Sequence, residues 1–213
     1  MATRKLKEQL DFLLANVRYE HATGRASCIE AMATLIGPSK LSLEIVESIA
    51  ESWFVGLSVQ LSRESSSSDD SEVVRAILNA LNILFLRLPE QNKRRDNLEL
   101  LLKRWILQSP KLAVQGAAWK IFAFISKHIS FSVKIEILSK VPEIISSNPV
   151  AIPDDLLRIV VGAVKNCICD DSFPQEIFQD LIVNIADPKF YKESCELPTR
   201  HSIALLWNSL LNN

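Results

Sequence analysis

The chain has 213 residues, of which 48% are hydrophobic and 23% charged, and its formal net charge is −1. This composition is that of a soluble globular protein and excludes a strongly basic or strongly acidic chain. No run of about eighteen apolar residues occurs, so no membrane-spanning segment is expected. The apolar stretch near the N-terminus contains Asp11 and Asn16, which argues against a signal peptide, and the 4 cysteines are therefore expected to be reduced inside a cell.

Helical periodicity dominates the chain from its first residues onward. Apolar residues recur at intervals of three and four, glycine is scarce, and alternating strand-like runs are almost absent. The first break is Gly37 before Pro38, because the residue before a proline does not easily stay helical. The next is a polar, serine-rich and acidic segment over 63–72. Within it, Asp69 and Glu72 have the spacing of a capping box, which predicts that a helix starts at Asp69.

Prolines divide the rest of the chain. Ser109 and Pro110 have the order of an N-cap followed by the first helical residue, so a helix is predicted to begin there. Pro142 lies inside a periodic segment and either kinks that helix or splits it in two. Together with the remaining breaks, these positions predict about nine to eleven helices; the further breaks are Pro89, Pro149, Pro153, Pro174 and Pro198.

The predicted helices repeat at an interval of about 40 residues. Segments aligned on one polar position match in their apolar positions, at intervals of 50, 40, 43 and 42 residues; the aligned positions are Arg25, Arg75, Gln115, Arg158 and Arg200. An interval of this size, with two helices in each repeat, is typical of HEAT and armadillo arrays. We therefore predict an all-α, HEAT/armadillo-like α-solenoid of about five helix pairs, forming a single domain over 1–213 with a flexible acidic Ser-rich loop over 63–71.

The repeated arginines are expected to be structural rather than catalytic. A residue that recurs at the same place in each repeat needs no catalytic explanation, and an arginine there can bond to a neighbouring repeat. The structural set is Arg25, Arg75, Arg158 and Arg200.

Cys28 is the strongest candidate for a nucleophile, with His21 as its base. Seven residues along a helix span roughly 10 Å, too far for a direct hydrogen bond, and Cys28 occupies an apolar repeat position. Cys167 and Cys169 are two residues apart, so on a helix they point to different faces, unlike the ligands of a zinc knuckle. We predict no catalytic residue, no metal site and no cofactor, and a hydrolase using Cys28 is the least favoured alternative.

Five basic residues lie close together in the sequence and are the best candidates for contacts to phosphates. Such a cluster can bind a nucleic-acid backbone, although on a neutral protein it is more often a solvated helix face. The cluster consists of Lys93, Arg94, Arg95, Lys103 and Arg104. The serine-rich segment over 63–71 also suits acid-directed phosphorylation, although an unmodified loop is the simpler interpretation.

The stretch "FLLANVRYEHATGRASCIEAMATLI" and the later "WFVGLSVQLSRESSSSDDSEVVRAILNAL" resemble a segment near the C-terminal end of the DRIM (down-regulated-in-metastasis) family. These are very large HEAT-repeat scaffold proteins of the small-subunit processome. The likeness rests on the Tyr19–Glu20 pair, Gly24–Arg25, the helix around Phe54–Val55 and the loop before Val74–Arg75, and "YEHATGR" is its specific part. Where the family has proline in the "FV-x-L" helix, this chain has Gly56.

The resemblance implies a function without catalysis. It implies a nucleolar scaffold in 18S rRNA processing and ribosome biogenesis, with processome proteins and the backbone of pre-ribosomal RNA as partners. No membrane and no small-molecule substrate are expected. The alternative is a generic HEAT adaptor that binds a partner helix or peptide without RNA. The apolar "IALLWNSLL" near the C-terminus favours a fragment of a longer array, although a complete short protein is also compatible with the sequence.

Overall fold

A computed structural model of the chain describes residues 2–37, 41–64, 71–141, 144, 154–170 and 204. Within these residues the secondary structure consists of α-helices and one short 3-10 helix, and no strand is present. The prediction of an all-α fold is therefore confirmed.

Eight helices have defined bounds. They are α1 (Ala2–Asn16), α2 (Ala22–Ile36), α3 (Leu43–Leu61), α4 (Glu72–Arg87), α5 (Lys93–Gln108), α6 (Leu112–Ile125), α7 (Phe131–Ser139) and α8 (Asp154–Asp170), with a 3-10 turn at Ser126–His128 between α6 and α7.

The helices form two compact units, Met1–Glu99 (unit 1) and Leu100–Asn213 (unit 2), and the boundary falls within α5. The single domain over 1–213 that the sequence suggests stays a prediction. In unit 1, α2 packs against α1 and α4, and α3 packs against α4. In unit 2, α6 packs against α8. Within each unit, the second helix of one predicted pair therefore packs against the second helix of the next, which is a repeat-like arrangement.

The core of unit 1 is built on α4. The apolar side chains of this helix recur every three or four residues, so they form one wide stripe that is buried away from water. Phe85, near the end of α4, meets Phe54 of α3 edge to face, with ring centroids 6.0 Å apart. The stripe consists of Val73, Val74, Ala76, Ile77, Ala80, Leu81, Leu84 and Phe85. Its burial supplies most of the apolar contact that holds α2, α3 and α4 together.

The core of unit 2 is centred on Trp119 of α6. The indole of Trp119 is fully buried and meets the ring of Phe122 edge to face at a centroid distance of 5.7 Å. Ile121 and Ile125 extend the same buried stripe, and Val160 and Val164 are buried on α8. The described part of unit 2 is thus held together by an aromatic pair surrounded by β-branched residues.

Two predicted helix starts are corrected. α4 begins at Glu72, and its N-cap is Ser71, whose hydroxyl oxygen accepts a hydrogen bond from the Val74 amide at 3.1 Å. The predicted cap Asp69 and most of the predicted loop over 63–71 lie outside the described residues. α6 begins at Leu112 rather than at Pro110, with Lys111 at the N-cap. The predicted kink or split at Pro142 also lies outside the described residues.

Candidate interaction surfaces

Arg25 is the most highly connected side chain of the stretch Tyr19–Arg25. Its Nη1 donates hydrogen bonds to the Tyr19 carbonyl at 3.0 Å and to the Glu20 carbonyl at 2.8 Å. Its Nε and Nη2 donate to the two carboxylate oxygens of Glu64, at 3.0 and 3.1 Å. Gln60 also donates to this carboxylate, at 2.7 Å. One guanidinium therefore ties the turn between α1 and α2 to the residues just after α3.

Gly24 allows the ring of Tyr19 to lie against α2. A Cβ atom at position 24 would stand 2.5 Å from Cδ1 of Tyr19, which is closer than any real Cβ contact. The Tyr19 ring also meets His21 edge to face, with centroids 5.8 Å apart. His21 is the N-cap of α2, and its side chain makes no capping hydrogen bond. The distinctive stretch "YEHATGR" thus contains a close aromatic contact that only glycine permits.

The other repeated arginines do not share the geometry of Arg25. Arg75 lies exposed on α4. Arg158 forms an ion pair with Asp155 of its own helix, with 3.2 Å between Nη2 and Oδ1. Arg200 lies outside the described residues. The repeat register places an arginine at the same position in three of the described second helices, and Gln115 there in α6, but the partner of each arginine depends on nearby residues that the repeat does not fix.

The predicted basic cluster is divided by the helix that carries it. Consecutive residues of an α-helix point about 100° apart, so Lys93, Arg94 and Arg95 cannot share one face. Lys93 and Arg94 are exposed, whereas Arg95 is buried, forms an ion pair with Glu99 at 3.5 Å and donates to the Leu88 carbonyl at 3.1 Å. The expectation that Arg95 contacts phosphates is therefore corrected. Its guanidinium belongs to the interior of unit 1.

In unit 2, the same cluster contributes Lys103 and Arg104. The Lys103 ammonium forms an ion pair with the Glu136 carboxylate of α7, so its charge is already matched within the chain. Arg104 is exposed on α5. Of the five predicted phosphate contacts, three are exposed and have no ion-pair partner among the residues that the structure describes: Lys93 and Arg94 in unit 1 and Arg104 in unit 2.

Cys28 lies in an environment that favours the thiol over the thiolate. Its Sγ donates a hydrogen bond to the Leu13 carbonyl at 3.1 Å, and burial raises the pKa of the Cys28 thiol above its ordinary value. His21 stands in the exposed turn before α2 and packs on Tyr19. This geometry does not favour Cys28 as a nucleophile, because only the thiolate attacks efficiently. Among the residues that the structure describes, no group of three or more His, Cys, Asp or Glu side chains could hold a metal ion.

Two open grooves mark the surface of unit 1. One, of about 610 Å³, lies between the end of α1 and α3, and its lining includes Arg18 and Glu51. The other, of about 500 Å³, is mostly apolar and is lined by Phe12, Leu13 and Leu35 together with two polar residues of α1. Phe12 lies at the edge of this groove, and 66% of the residue is exposed to solvent. The sequence did not reveal either groove, because each is formed only when separate helices pack together.

None of the described helices has both the length and the apolar composition that a membrane-spanning helix needs.

No model of a known protein family matches the chain, and no curated protein matches it. Among solved structures, the crystal structure of an engineered protein is similar to this chain at 16% sequence identity and a TM-score of 0.45, over 95% of this chain and 79% of the other. Function is therefore inferred from the residues of this chain itself.

Proposed function

We propose that this chain is a non-catalytic helical-repeat scaffold module that acts in small-subunit ribosome assembly in the nucleolus. In this role it holds assembly factors and contacts the backbone of pre-ribosomal RNA. The observation that carries the proposal is the stretch Tyr19–Arg25, the specific part of the resemblance to the DRIM family. Its polar groups are engaged in joining helices: Arg25 bonds to two backbone carbonyls and to Glu64. This use suits a protein that works through the shape of its helices rather than through a reactive group.

Contact with RNA is assigned to basic side chains whose charge is not matched inside the chain. Within the described residues, Lys93, Arg94 and Arg104 are exposed and have no ion-pair partner. Lys93 and Arg94 stand in the first turn of α5, where the helix dipole also favours an anion. Each unit is thus expected to contribute its own phosphate contact, and the affinity should depend strongly on salt concentration.

Salt-dependent binding of labelled single-stranded RNA tests this assignment. We expect Arg94→Gln and Arg104→Gln each to weaken binding and to lower the slope of log K against log salt by roughly 0.7, the value for one lost phosphate contact on a single strand. Arg75→Gln in unit 1 and Lys111→Gln in unit 2 are matched controls, because both side chains are exposed and lie outside the cluster. Equal losses in the controls and in the cluster variants would contradict the assignment.

A second candidate function is an adaptor that binds a partner helix without RNA. The apolar groove beside Phe12, Leu13 and Leu35 supports it, because an exposed aromatic residue at the edge of an apolar groove suits the apolar face of a helix. Binding of this kind changes little with salt, whereas binding to phosphates falls steeply. The salt series therefore separates the two functions.

A further inference from the structure

The groove between α1 and α3 combines apolar walls with charges of both signs. Leu14 near the end of α1, Val17 in the turn after it and Val55 from α3 supply its apolar surface. Arg18 lies on the α1 side, and Ser48, Glu51 and Ser52 lie on the α3 side. The α3 residues are spaced by three and four, so they line one face of that helix over successive turns.

The two charged residues of this groove are not neutralised by the chain. Within the described residues, neither Arg18 nor Glu51 has an ion-pair partner, and both are exposed. Two other charged groups of unit 1 are engaged: Arg25 is paired with Glu64, and Glu47, one turn before Glu51, accepts a hydrogen bond from Asn92. Arg18 and Glu51 therefore offer opposite charges to a ligand on opposite walls of the groove.

The two serines add to the difference in charge between the Arg18 wall and the Glu51 wall. The Ser48 hydroxyl donates to the Ile45 carbonyl at 2.7 Å and the Ser52 hydroxyl donates to the Ile49 carbonyl at 2.9 Å. Each hydroxyl has one proton, so these oxygens can only accept hydrogen bonds from a ligand. The α3 wall thus presents three acceptor groups, including the Glu51 carboxylate, and it suits a cation. The Arg18 guanidinium only donates and suits a carboxylate.

The size and the charges of the groove favour a peptide over other ligands. Its volume of about 610 Å³ exceeds that of a single amino acid, and its lining carries charges of both signs beside apolar side chains. A nucleic-acid backbone is disfavoured by the Glu51 carboxylate and by the acceptors beside it. Gly56 sets the floor of the groove, because a Cβ atom there would stand 2.7 Å from Cδ1 of Leu14.

We propose that this groove binds a peptide segment in which an apolar residue lies between a basic and an acidic residue. The basic residue contacts Glu51 and the two serine oxygens, the acidic residue contacts Arg18, and the apolar residue packs against Leu14, Val17 and Val55. The site contains none of the residues assigned to RNA contact, so peptide binding here can be tested independently of RNA binding.

Selection from a displayed library of 12-residue peptides on the full-length chain tests this site. We expect the wild-type protein to enrich peptides with the basic–apolar–acidic pattern in one chain order, and the doubly charge-swapped variant Arg18→Glu with Glu51→Lys to enrich the reverse order. Each single variant should bind the wild-type peptides roughly two- to fivefold more weakly, as expected for an exposed ion pair. Circular dichroism establishes that each variant is folded.

Glu44→Lys on α3 and Arg63→Glu are the matched controls, because both side chains are exposed and neither lines the groove. They should bind the selected peptides as the wild-type protein does. The proposal is overturned if no charge pattern is enriched, if the charge-swapped variant selects the same order as the wild type, or if single-stranded RNA displaces the peptides by occupying the groove.

Discussion

Arg25 donates two parallel hydrogen bonds to the carboxylate of Glu64, although the two residues are 39 positions apart in the chain. Their side chains are only 17% and 12% exposed. A guanidinium and a carboxylate that meet in this fork geometry are held in a fixed relative orientation. Because Arg25 also bonds to the Tyr19 and Glu20 carbonyls, the pair joins the α1–α2 turn to the end of α3.

Replacing Arg25 should destabilise unit 1 more than an ordinary surface substitution does. Arg25→Ala leaves the Glu64 carboxylate and two backbone carbonyls without this donor, and we expect a loss of about 2–3 kcal/mol in the free energy of unfolding. Arg25→Lys keeps the charge but cannot form the fork, so about half of that loss should remain. Urea unfolding followed by circular dichroism measures both.

Arg75→Ala is the control, because Arg75 occupies the equivalent repeat position but is exposed. It should change stability by less than about 0.5 kcal/mol. If Arg75→Ala and Arg25→Ala cost the same, the special role of Arg25 is refuted.

Two glycines in helices should respond in opposite directions to alanine. Gly24→Ala places a methyl group 2.5 Å from the Tyr19 ring and should be destabilising, because the ring must move away from α2. Gly162→Ala, within α8, meets no atom within 4 Å and should stabilise by roughly 0.5–1 kcal/mol through helix propensity. Thermal unfolding measures both variants. Combining Gly24→Ala with Tyr19→Ala should recover most of the loss, and failure to recover it would rule out the ring contact as its cause.

Removing one partner of the buried pair Arg95–Glu99 should lower the free energy of unfolding strongly, whereas replacing both partners by apolar residues should change it little. Their side chains are 9% and 4% exposed. Glu99→Gln alone leaves the Arg95 guanidinium without its carboxylate and should cost about 3–5 kcal/mol, whereas Arg95→Met combined with Glu99→Leu should be close to neutral. Chemical unfolding of Glu99→Gln and of the Arg95→Met, Glu99→Leu double variant measures both effects. A double variant as unstable as Glu99→Gln would show that the pair itself is required.

Cys28 should react slowly with alkylating reagents. Burial raises the pKa of its thiol, so its thiolate fraction at neutral pH is smaller than that of an exposed thiol. Peptide-level mass spectrometry of the Cys28 peptide, over a series of pH values, should place the midpoint of the rate at a higher pH in the folded chain than in the chain unfolded in urea. A midpoint at a lower pH in the folded chain would instead indicate an activated cysteine.

The same pKa shift has a consequence for stability. The folded pKa of Cys28 lies above the unfolded value, so the folded chain holds this proton more tightly. Its contribution to stability is fully present below the unfolded pKa and is lost as the pH rises through the folded pKa. Replacement by alanine should therefore remove part of the decrease in stability at alkaline pH.

The helices could be predicted from the sequence because their signal is local. Apolar spacing placed a helix around α4 and another around α6, and the buried stripes of both follow that spacing. The starts were less accurate: several polar residues near Ser71 could cap a helix, and the choice depends on local backbone geometry. Helix rotation alone could have shown that Lys93, Arg94 and Arg95 do not share a face.

The contacts that define the surface of unit 1 could not be predicted in this way. The partner of Arg25 is Glu64, and the groove beside Arg18 is completed by Glu51; both depend on which helices pack together. Gly56 illustrates the same limit. In the sequence it is a departure from the family pattern without explanation, and in the structure it accommodates Leu14.

Density-gradient sedimentation of the tagged full-length chain from cell extract, with each fraction probed for pre-ribosomal RNA, is the most direct test of the scaffold function. We predict that the wild-type chain migrates with large pre-ribosomal particles and is released by ribonuclease or high salt. A combined Lys93→Gln, Arg94→Gln and Arg104→Gln variant should be released at lower salt than the wild-type chain. Migration of the wild-type chain as a small free protein, in fractions without pre-ribosomal RNA, would contradict the proposed role in ribosome assembly.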